Sequence, residues 1–275
     1  MTSREGPTGP WSHGVLITVA YDGEGFAGFA RQPSARTIAG ELDGAVRSLS
    51  PTASHVRGAS RTDAGVHARG QRVAFDTDLV IPPRGWVMAL NAELPKQIVI
   101  VRAAESAPGF EPRFHAVQKT YRYVLLESEI NDPFRSGRCW RIGERLNHDA
   151  MQSAAMPLLG EHDFSAFRAA GDERTETVRR LLRIEVRRGR DDPRLTEIVV
   201  EGDRFMYRMV RIIVGSLVDV GAGRLDPSRL GLALREGQRA LLGRTAPPDG
   251  LCLDSIVLDD EGANPWPIDE IAGVA

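Results

Sequence analysis

Two successive series of strand-like and helix-like segments constrain the fold of this 275-residue chain more than any other feature of its sequence. In residues 14–106, apolar runs typical of strands alternate with stretches whose apolar residues recur every three or four positions, which predicts the order β-α-β-α-β. Residues 119–238 give a second series of the same kind. We therefore predict an α/β or α+β protein with two similar halves, although the pattern does not give the strand order.

Some segments have individual signatures. Apolar residues share one face of a helix predicted over residues 37–49, and Asn147 is a suitable N-cap for the helix predicted to follow it. Residues 71–79 alternate apolar and polar side chains as a strand does. Residues 205–223 are strongly apolar, which predicts a buried helix.

Charge is distributed unevenly around a formal net charge of −2. Residues 249–275 hold seven acidic residues and no basic ones, so the rest of the chain carries +5. Residues 168–190 hold eight arginines against four acidic residues. This asymmetry permits a basic face for nucleic acid beside an acidic tail, but on charge alone a solvated helix or strand surface is the favoured interpretation.

The expected cellular compartment and the expected lack of a metal site both rest on features that the sequence does not contain. No apolar run approaches membrane-spanning length and the N-terminal residues do not resemble a signal peptide, so a cytoplasmic protein is expected. Cys139 and Cys252 are far apart and form no CxxC pair, which favours reduced thiols. The six histidines are scattered, so no metal site is expected.

The segment GASRTDAGVHARGQ, residues 58–71, packs charged side chains between small ones, including three glycines. One interpretation is structural: Asp63 caps a turn and Gly65 supplies a positive φ. The other is chemical: the glycines let another backbone approach, while Arg61 holds the Asp63 carboxylate ionised and oriented. Such a carboxylate can act as a nucleophile. The residues alone leave both interpretations open.

A competing motif lies just downstream. The strand-like VAFDTD, residues 73–78, ends in the DxD pattern of phosphatase nucleophiles. A phosphatase of that kind would require Mg²⁺, and the companion motifs do not follow in this sequence. It is the less favoured alternative.

SRTDAGVHA closely resembles the signature of the TruA family of tRNA pseudouridine synthases. Further blocks resemble the family's other motifs in family order: YDGEGFAGFARQP, KTYRY, LLGEHDFSAF, TVRRL, GDRFMYRMVRIIVGSL and APPDGLCL. Together the blocks run from Tyr21 to Leu253, most of the chain. There are two departures. Ser60 stands where glycine is frequent, which bears on the loop's dihedral angles, and Phe29 stands where tryptophan is usual, which bears on substrate preference.

The resemblance implies a pseudouridine synthase fold, which is α+β with two similar α/β lobes, an antiparallel-rich sheet and a central active-site cleft. On this basis residues 1–12 are a flexible N-terminus and residues 13–113 a lobe that carries the catalytic aspartate. Residues 114–261 form the second lobe, whose last segment closes the active site, and residues 262–275 form an acidic tail.

The resemblance also implies a reaction that needs neither cofactor nor metal. Uridine in the anticodon stem-loop of tRNA, at positions 38, 39 and 40, would become pseudouridine, with Asp63 as the essential aspartate. A homodimer that binds one tRNA across both subunits is implied as well.

Two further catalytic residues follow from matching motifs. Tyr121, the first tyrosine of KTYRY, is expected to stack on the target base, whereas Tyr123 on the same strand face is expected to be core. Arg211 matches the family's basic residue. Because an arginine among apolar neighbours is costly to bury unpaired, Asp63 is its expected partner, with a snorkelling surface arginine as the alternative.

The remaining assignments concern the substrate. Leu251 and Leu253 are expected to wall the pocket, and Arg61 to lie near Asp63 or a phosphate. The target uridine must flip out of folded RNA, so cations are expected to hold the RNA backbone. The candidates for phosphate contact are Arg168, Arg179, Arg183, Arg204 and Arg208.

Two alternatives within the same fold stay open. One is an RNA-binding protein that has lost catalysis, against which the presence of Asp63, Tyr121 and Arg211 argues. The other is a synthase that acts on a different RNA or on a free nucleotide. The salt dependence of tRNA binding separates the free-nucleotide enzyme from a tRNA enzyme.

Overall fold

The structure, a computed structural model, describes residues 11–171 and 175–267. All but the last two residues of the predicted N-terminal segment 1–12 lie outside the described residues, as do residues 268–275 of the predicted acidic tail. The chain forms two compact units. The first contains the described residues up to Val117 and from Leu253 onward, and the second is Gln118–Cys252.

The elements follow one another in mixed order. They are β1 (His13–Tyr21), α1 (Ile38–Leu49), β2 (Arg57–Gly58), β3 (His67–Thr77), α2 (Pro83–Glu93), β4 (Ile98–Ser106), α3 (Pro112–His115), β5 (Ala116–Glu127), β6 (Trp140–Ile142), α4 (His148–Ala155), β7 (Gly160–Asp163), β8 (Val178–Arg188), β9 (Leu195–Gly202), α5 (Met209–Gly221), α6 (Ser228–Glu236), β10 (Leu251–Leu258) and β11 (Ala263–Trp266).

In the first unit the strand order is β11-β4-β1-β3-β10. Strand β1 pairs antiparallel with both β3 and β4, and β11 pairs antiparallel with β4. Helix α1 begins where the Thr37 side chain accepts the Gly40 N–H at 3.2 Å, and it buries the apolar face that the sequence predicts. The predicted order β-α-β-α-β is confirmed, with β2 as an additional short strand.

In the second unit the strand order is β5-β9-β8-β7. These pairs are antiparallel, while the short β6 runs parallel to β5. The Asn147 side chain caps α4 by accepting the Ala150 N–H at 3.0 Å, as predicted. The prediction of an α+β fold rich in antiparallel strands is confirmed.

Two predicted boundaries shift for local reasons. Strand β3 begins at His67 rather than residue 71, so the second half of the glycine-rich motif is strand. Helix α5 begins at Met209 rather than residue 205. Arg208, with φ 59°, lies in the left-handed region and cannot continue a right-handed helix.

The C-terminal part also differs from the predicted division of the chain. Residues 253–258 belong to the first unit because β10 lies beside β3, whereas the sequence placed residues 114–261 in the second lobe. Residues 263–266 of the predicted acidic tail form β11. No helix among the described residues is long and apolar enough to cross a membrane.

Candidate active site

Asp63 occupies the first position of a tight turn immediately before β3. Its carbonyl oxygen accepts the Val66 N–H at 3.1 Å. Gly65, the third residue of the turn, has φ +78°, which glycine adopts without steric cost. The predicted turn with Gly65 at positive φ is confirmed, and it leaves Asp63 half-buried.

Two glycines of the N-terminal block bring its backbone directly against this turn. A Cβ on Gly28 would lie 2.8 Å from the Thr62 carbonyl oxygen, and one on Gly23 would lie 2.2 Å from that of Val66. Gly28 also has φ +95°. The Phe29 N–H donates to the Thr62 carbonyl oxygen at 3.1 Å. A side chain at Gly23 or Gly28 would therefore displace the Asp63 turn.

Buried side chains of β1 and β3 hold the residues before Asp63. The Tyr21 and Thr62 hydroxyls are 2.7 Å apart. The fully buried Gln71 amide donates to the Ser60 carbonyl oxygen at 2.7 Å and accepts the Ser60 N–H at 3.1 Å. Several separate hydrogen bonds therefore fix the turn, and each contributes about 1 kcal/mol to stability.

These contacts explain the two departures from the family motifs. Ser60 is held through its backbone, and its φ lies outside the left-handed region, since Arg208 and Asn264 are the described non-glycine residues with positive φ. Serine therefore fits without strain. Phe29 is only 4% exposed, and its ring packs against Tyr21 with centroids 6.5 Å apart. Its burial indicates a role in packing rather than in substrate preference.

The three glycines of the motif serve the protein's own packing. A Cβ on Gly58 would lie 2.3 Å from the Phe29 ring, and one on Gly70 would lie 2.6 Å from the Asp254 carbonyl oxygen. Gly65 makes the turn. The interpretation that these glycines let another chain's backbone approach is wrong for Gly58 and Gly70, because internal contacts occupy the space beside them, and for Gly65 it stays a prediction. Arg61 is exposed beside this turn.

Tyr121 lies on β5 in the second unit. It is 7% exposed, and its ring meets that of Phe205 edge to face with centroids 5.1 Å apart. Tyr123, two residues along the same strand face, is fully buried and donates its hydroxyl to the Pro247 carbonyl oxygen at 2.8 Å. Burial raises the pKa of Tyr123 far above its usual range. The prediction of Tyr123 as a core residue is confirmed.

Arg211 lies in the first turn of α5, between buried apolar neighbours. It is half-buried itself, and its Nε donates to the Ala246 carbonyl oxygen at 2.8 Å. The Ala246 N–H returns a bond to the Arg211 carbonyl oxygen at 2.9 Å. The Ala246 carbonyl thus accepts one of the hydrogen bonds of the Arg211 guanidinium, for which the sequence analysis expected the Asp63 carboxylate as partner. The pairing of Arg211 with Asp63 stays a prediction.

Leu251 and Leu253 lie at the start of β10 and are 5% and 0% exposed. Their predicted place in the wall of a pocket stays a prediction. The Phe205 ring and the Ala246 carbonyl were missed by the sequence analysis. Phe205 could have been found, because it lies in the block that resembles the family's helix. The Ala246 carbonyl could not, because a contact between a side chain and a backbone carbonyl leaves no residue pattern.

The predicted phosphate-contact arginines differ in exposure. Arg179 is 4% exposed, and its guanidinium donates to the Val178 and Glu176 carbonyl oxygens. The charged group is turned into the protein, which leaves little of it accessible, and its predicted contact with phosphate stays a prediction. Arg168 is half-buried.

The other three predicted arginines are exposed. Arg183 forms an ion pair with Glu185, and Arg204 forms one with Glu176 at 3.1 Å. The Arg208 guanidinium lies 4.7 Å from the centroid of the Tyr207 ring. Exposed ion pairs of this kind stabilise little, so these cations are available to a phosphate at small cost.

The alternative DxD motif has a structural role. Asp76 is fully buried, and its carboxylate accepts hydrogen bonds from Arg57 at 2.8 Å and from the Gly109 N–H at 3.0 Å. A carboxylate so enclosed cannot reach a phosphate ester. The phosphatase interpretation is therefore wrong.

Asp63 is thus a half-buried carboxylate on a tight turn of an α+β fold, and its catalytic role stays a prediction. A family model described as tRNA pseudouridine synthase matches residues 17–115 and 154–257. The chain belongs to this family, whose members are isomerases.

Curated relatives carry the name tRNA pseudouridine synthase A. The one from Geobacter sulfurreducens is 40% identical over 242 residues, which cover 88% of this chain and 98% of the relative. The one from Shouchella clausii is 42% identical, covering 87% and 91%. The one from Bacillus subtilis is 38% identical, covering 90% and 99%.

Proposed function

We propose that this tRNA pseudouridine synthase uses Asp63 as its essential aspartate and modifies uridines at positions 38, 39 and 40 of the tRNA anticodon stem-loop. The observation that carries the assignment of Asp63 is its turn, which backbone bonds, buried side chains and two glycines fix from several directions. A group that reacts with a flipped nucleotide must be held in this way, because misplacement by one ångström is costly to the rate.

The reaction rearranges bonds within one nucleotide. The N1–C1′ bond breaks, the uracil rotates while it stays bound, and C5 forms the new bond to C1′. The hydrogen leaves C5 and N1 gains one, so no oxidant or co-substrate is consumed. An ionised Asp63 has three possible first steps: attack on C1′, attack on C6, or removal of a sugar proton to give a glycal.

Tyr121 and Arg211 complete the proposed catalytic set. The edge-to-face contact with Phe205 fixes the Tyr121 ring, which supports a role in stacking on the uracil. The bond from Nε to Ala246 fixes the guanidinium of Arg211. A preorganised cation stabilises charge that develops during the reaction, typically by several kcal/mol.

Contacts with the tRNA are proposed for exposed arginines of the second unit. Arg183, Arg204 and Arg208 are accessible, and each offers planar donors that suit phosphate oxygens. Arg61 is exposed beside the Asp63 turn, which supports a contact with a phosphate there. A homodimer and a cytoplasmic location stay predictions.

Tritium release tests the function. The purified chain is incubated with an unmodified tRNA transcript that carries tritium at uracil C5, without metal or cofactor. Because C5 loses its hydrogen when it bonds to C1′, we expect release that is proportional to pseudouridine formed.

The alternatives give different results in the same assay. Absence of release with tight tRNA binding would indicate a catalytically silent RNA-binding protein or a synthase for another RNA. Absence of both would exclude tRNA as the substrate. A tRNA affinity that falls steeply with salt would exclude an enzyme for a free nucleotide.

A further inference from the structure

Residues 243–250, which we call the strap, lie along one side of α5. Contacts with the strap fall at Arg211, Gly215 and Asp219, which are four residues apart and so share one face of the helix. Gly215 allows the closest approach, since a Cβ there would lie 2.0 Å from the Arg244 carbonyl oxygen. The strap can therefore pack this closely against α5 only because residue 215 is glycine.

Asp219 and Ser216 fix the beginning of the strap. The Asp219 carboxylate accepts the Arg244 N–H at 3.2 Å and the Arg244 guanidinium at 2.8 Å. The Ser216 hydroxyl accepts the Gly243 N–H at 3.0 Å. Burial alone would raise the pKa of Asp219, but hydrogen bonds from Arg244 and Arg224 outweigh it and hold that pKa below its usual range.

Two consecutive carbonyl groups in the middle of the strap connect Arg211 to Tyr123. The Ala246 carbonyl oxygen accepts the Arg211 Nε at 2.8 Å, and the next one, of Pro247, accepts the Tyr123 hydroxyl at 2.8 Å. Proline fixes its own φ near −65°, so the backbone between the two acceptors is stiff. A displacement of one carbonyl therefore displaces the other.

The end of the strap is fixed on β5. The Val124 N–H donates to the Gly250 carbonyl oxygen at 2.9 Å. A Cβ on Gly250 would lie 2.5 Å from the Tyr123 ring, so glycine permits this approach. The high pKa of Tyr123 means that its hydroxyl stays a donor to the strap throughout the pH range in which the protein is assayed.

We propose that the strap positions the Arg211 guanidinium for the reaction, and that Tyr123 and Asp219 are positioning residues that act on Arg211 through it. This inference rests on the proposed catalytic role of Arg211. Tyr123 is therefore more than a core aromatic: its hydroxyl sets the place of the carbonyl that orients the guanidinium.

The test is Tyr123→Phe in the full-length chain, assayed by tritium release from tRNA. We expect kcat to fall about tenfold, the effect of one hydrogen bond on the barrier, with KM changed less than about twofold. In an Arg211→Lys background, whose ammonium cannot make the same Nε bond to Ala246, we expect Tyr123→Phe to cause little further loss.

Thr196→Val is the matched control. It removes another fully buried hydroxyl of the second unit, one that donates to Glu127 rather than to the strap. We expect a lower thermal midpoint with kcat unchanged. Ser216→Ala gives a second way to loosen the strap and should lower kcat in the same direction if Tyr123→Phe does not fold.

Three results would overturn the proposal: a wild-type kcat in both Tyr123→Phe and Ser216→Ala, an equal loss from Tyr123→Phe in the wild-type and Arg211→Lys backgrounds, or an equal loss from Thr196→Val. Failure of the proposed function has another signature, because the unmutated protein would then release no tritium at all.

Discussion

The Asp63 turn and the Arg211 helix solve the same problem, the placement of one charged group, by different physical means. Around Asp63 the contacts come from backbone amides, neutral side chains and glycines that leave no room for a Cβ. Around Arg211 the frame is a helix and the strap, fixed at one end by the carboxylate of Asp219.

This difference predicts how each region fails. A turn fixed by close backbone approach and by hydrogen bonds between neutral groups tolerates no added volume. A strap fixed partly by a charged group responds to pH and to loss of charge. Substitutions in the two regions therefore have distinct signatures.

Removal of the charge on Asp63 should give the largest effect. Asp63→Asn keeps the shape of the side chain and the turn, so we expect turnover to fall by about 10⁴-fold or more while tRNA affinity and thermal midpoint stay near wild type. Single-turnover rates measure the turnover, filter binding measures the tRNA affinity, and a thermal melt measures the midpoint. Turnover within tenfold of wild type would contradict the assignment.

Added volume at the turn comes next. Gly28→Ala combines strain at φ +95° with a clash at the Thr62 carbonyl, so we expect about 3 kcal/mol loss of unfolding free energy and a matching loss of activity. Gly25→Ala is the control, because Gly25 has φ +79° but open space around its Cβ position. It should lose about 1 kcal/mol and remain active. Equal effects in urea unfolding would mean that close packing does not fix the turn.

On the helix, Arg211→Ala should lower kcat by about a hundredfold, within the range for one preorganised charged donor. Stability should fall by about 1 kcal/mol, since the bond to Ala246 is also lost. Steady-state kinetics and a thermal melt separate the two effects. A kcat near wild type would remove Arg211 from the reaction.

Asp219→Asn should reveal the pH dependence of the strap. The pKa of Asp219 is lower in the folded protein than its ordinary 3.8, so its ionised form stabilises the fold above that pH, and the contribution is lost as pH falls through the folded value. We expect the variant to be about 2 kcal/mol less stable at pH 7, with the difference shrinking below pH 4. Denaturant unfolding at both pH values measures this difference, and a constant difference would contradict the role of the charge.

The smallest effect concerns RNA contact outside both regions. Arg183→Glu should weaken tRNA binding a few fold and reduce its salt dependence by about one phosphate contact. Arg235→Glu, an exposed arginine of α6 outside the proposed contact set, is the control. Equal weakening by both variants would indicate a general charge effect.

The two regions also differ in how far the sequence predicts them. Gly65 and the turn were predictable because positive φ has a strong residue preference. The packing roles of Gly58 and Gly70 were not predictable, because the sequence does not show which atoms pack against a glycine. Arg179 looks like its exposed neighbours in sequence, yet the pleat of β8 turns it inward.

Strand β10 was a further element beyond the sequence analysis. Residues 251–258, LCLDSIVL, do not alternate apolar and polar side chains, and nothing in them tells which unit receives the strand. Hydrogen bonds from side chains to backbone, such as those from Arg211 and Tyr123 to the strap, leave no residue pattern. The fold class and the candidate catalytic residues could therefore be predicted from the sequence. The contacts that position those residues could not.

The central claim, that Asp63 converts uridines of the anticodon stem-loop, is tested most directly by mapping the product. An unmodified tRNA transcript is treated with the protein, its pseudouridines are labelled with a carbodiimide, and primer extension locates them. We predict stops at positions 38, 39 or 40 with the unmutated protein and none with Asp63→Asn. Stops that persist with Asp63→Asn, or that fall only outside the anticodon stem-loop, would contradict it.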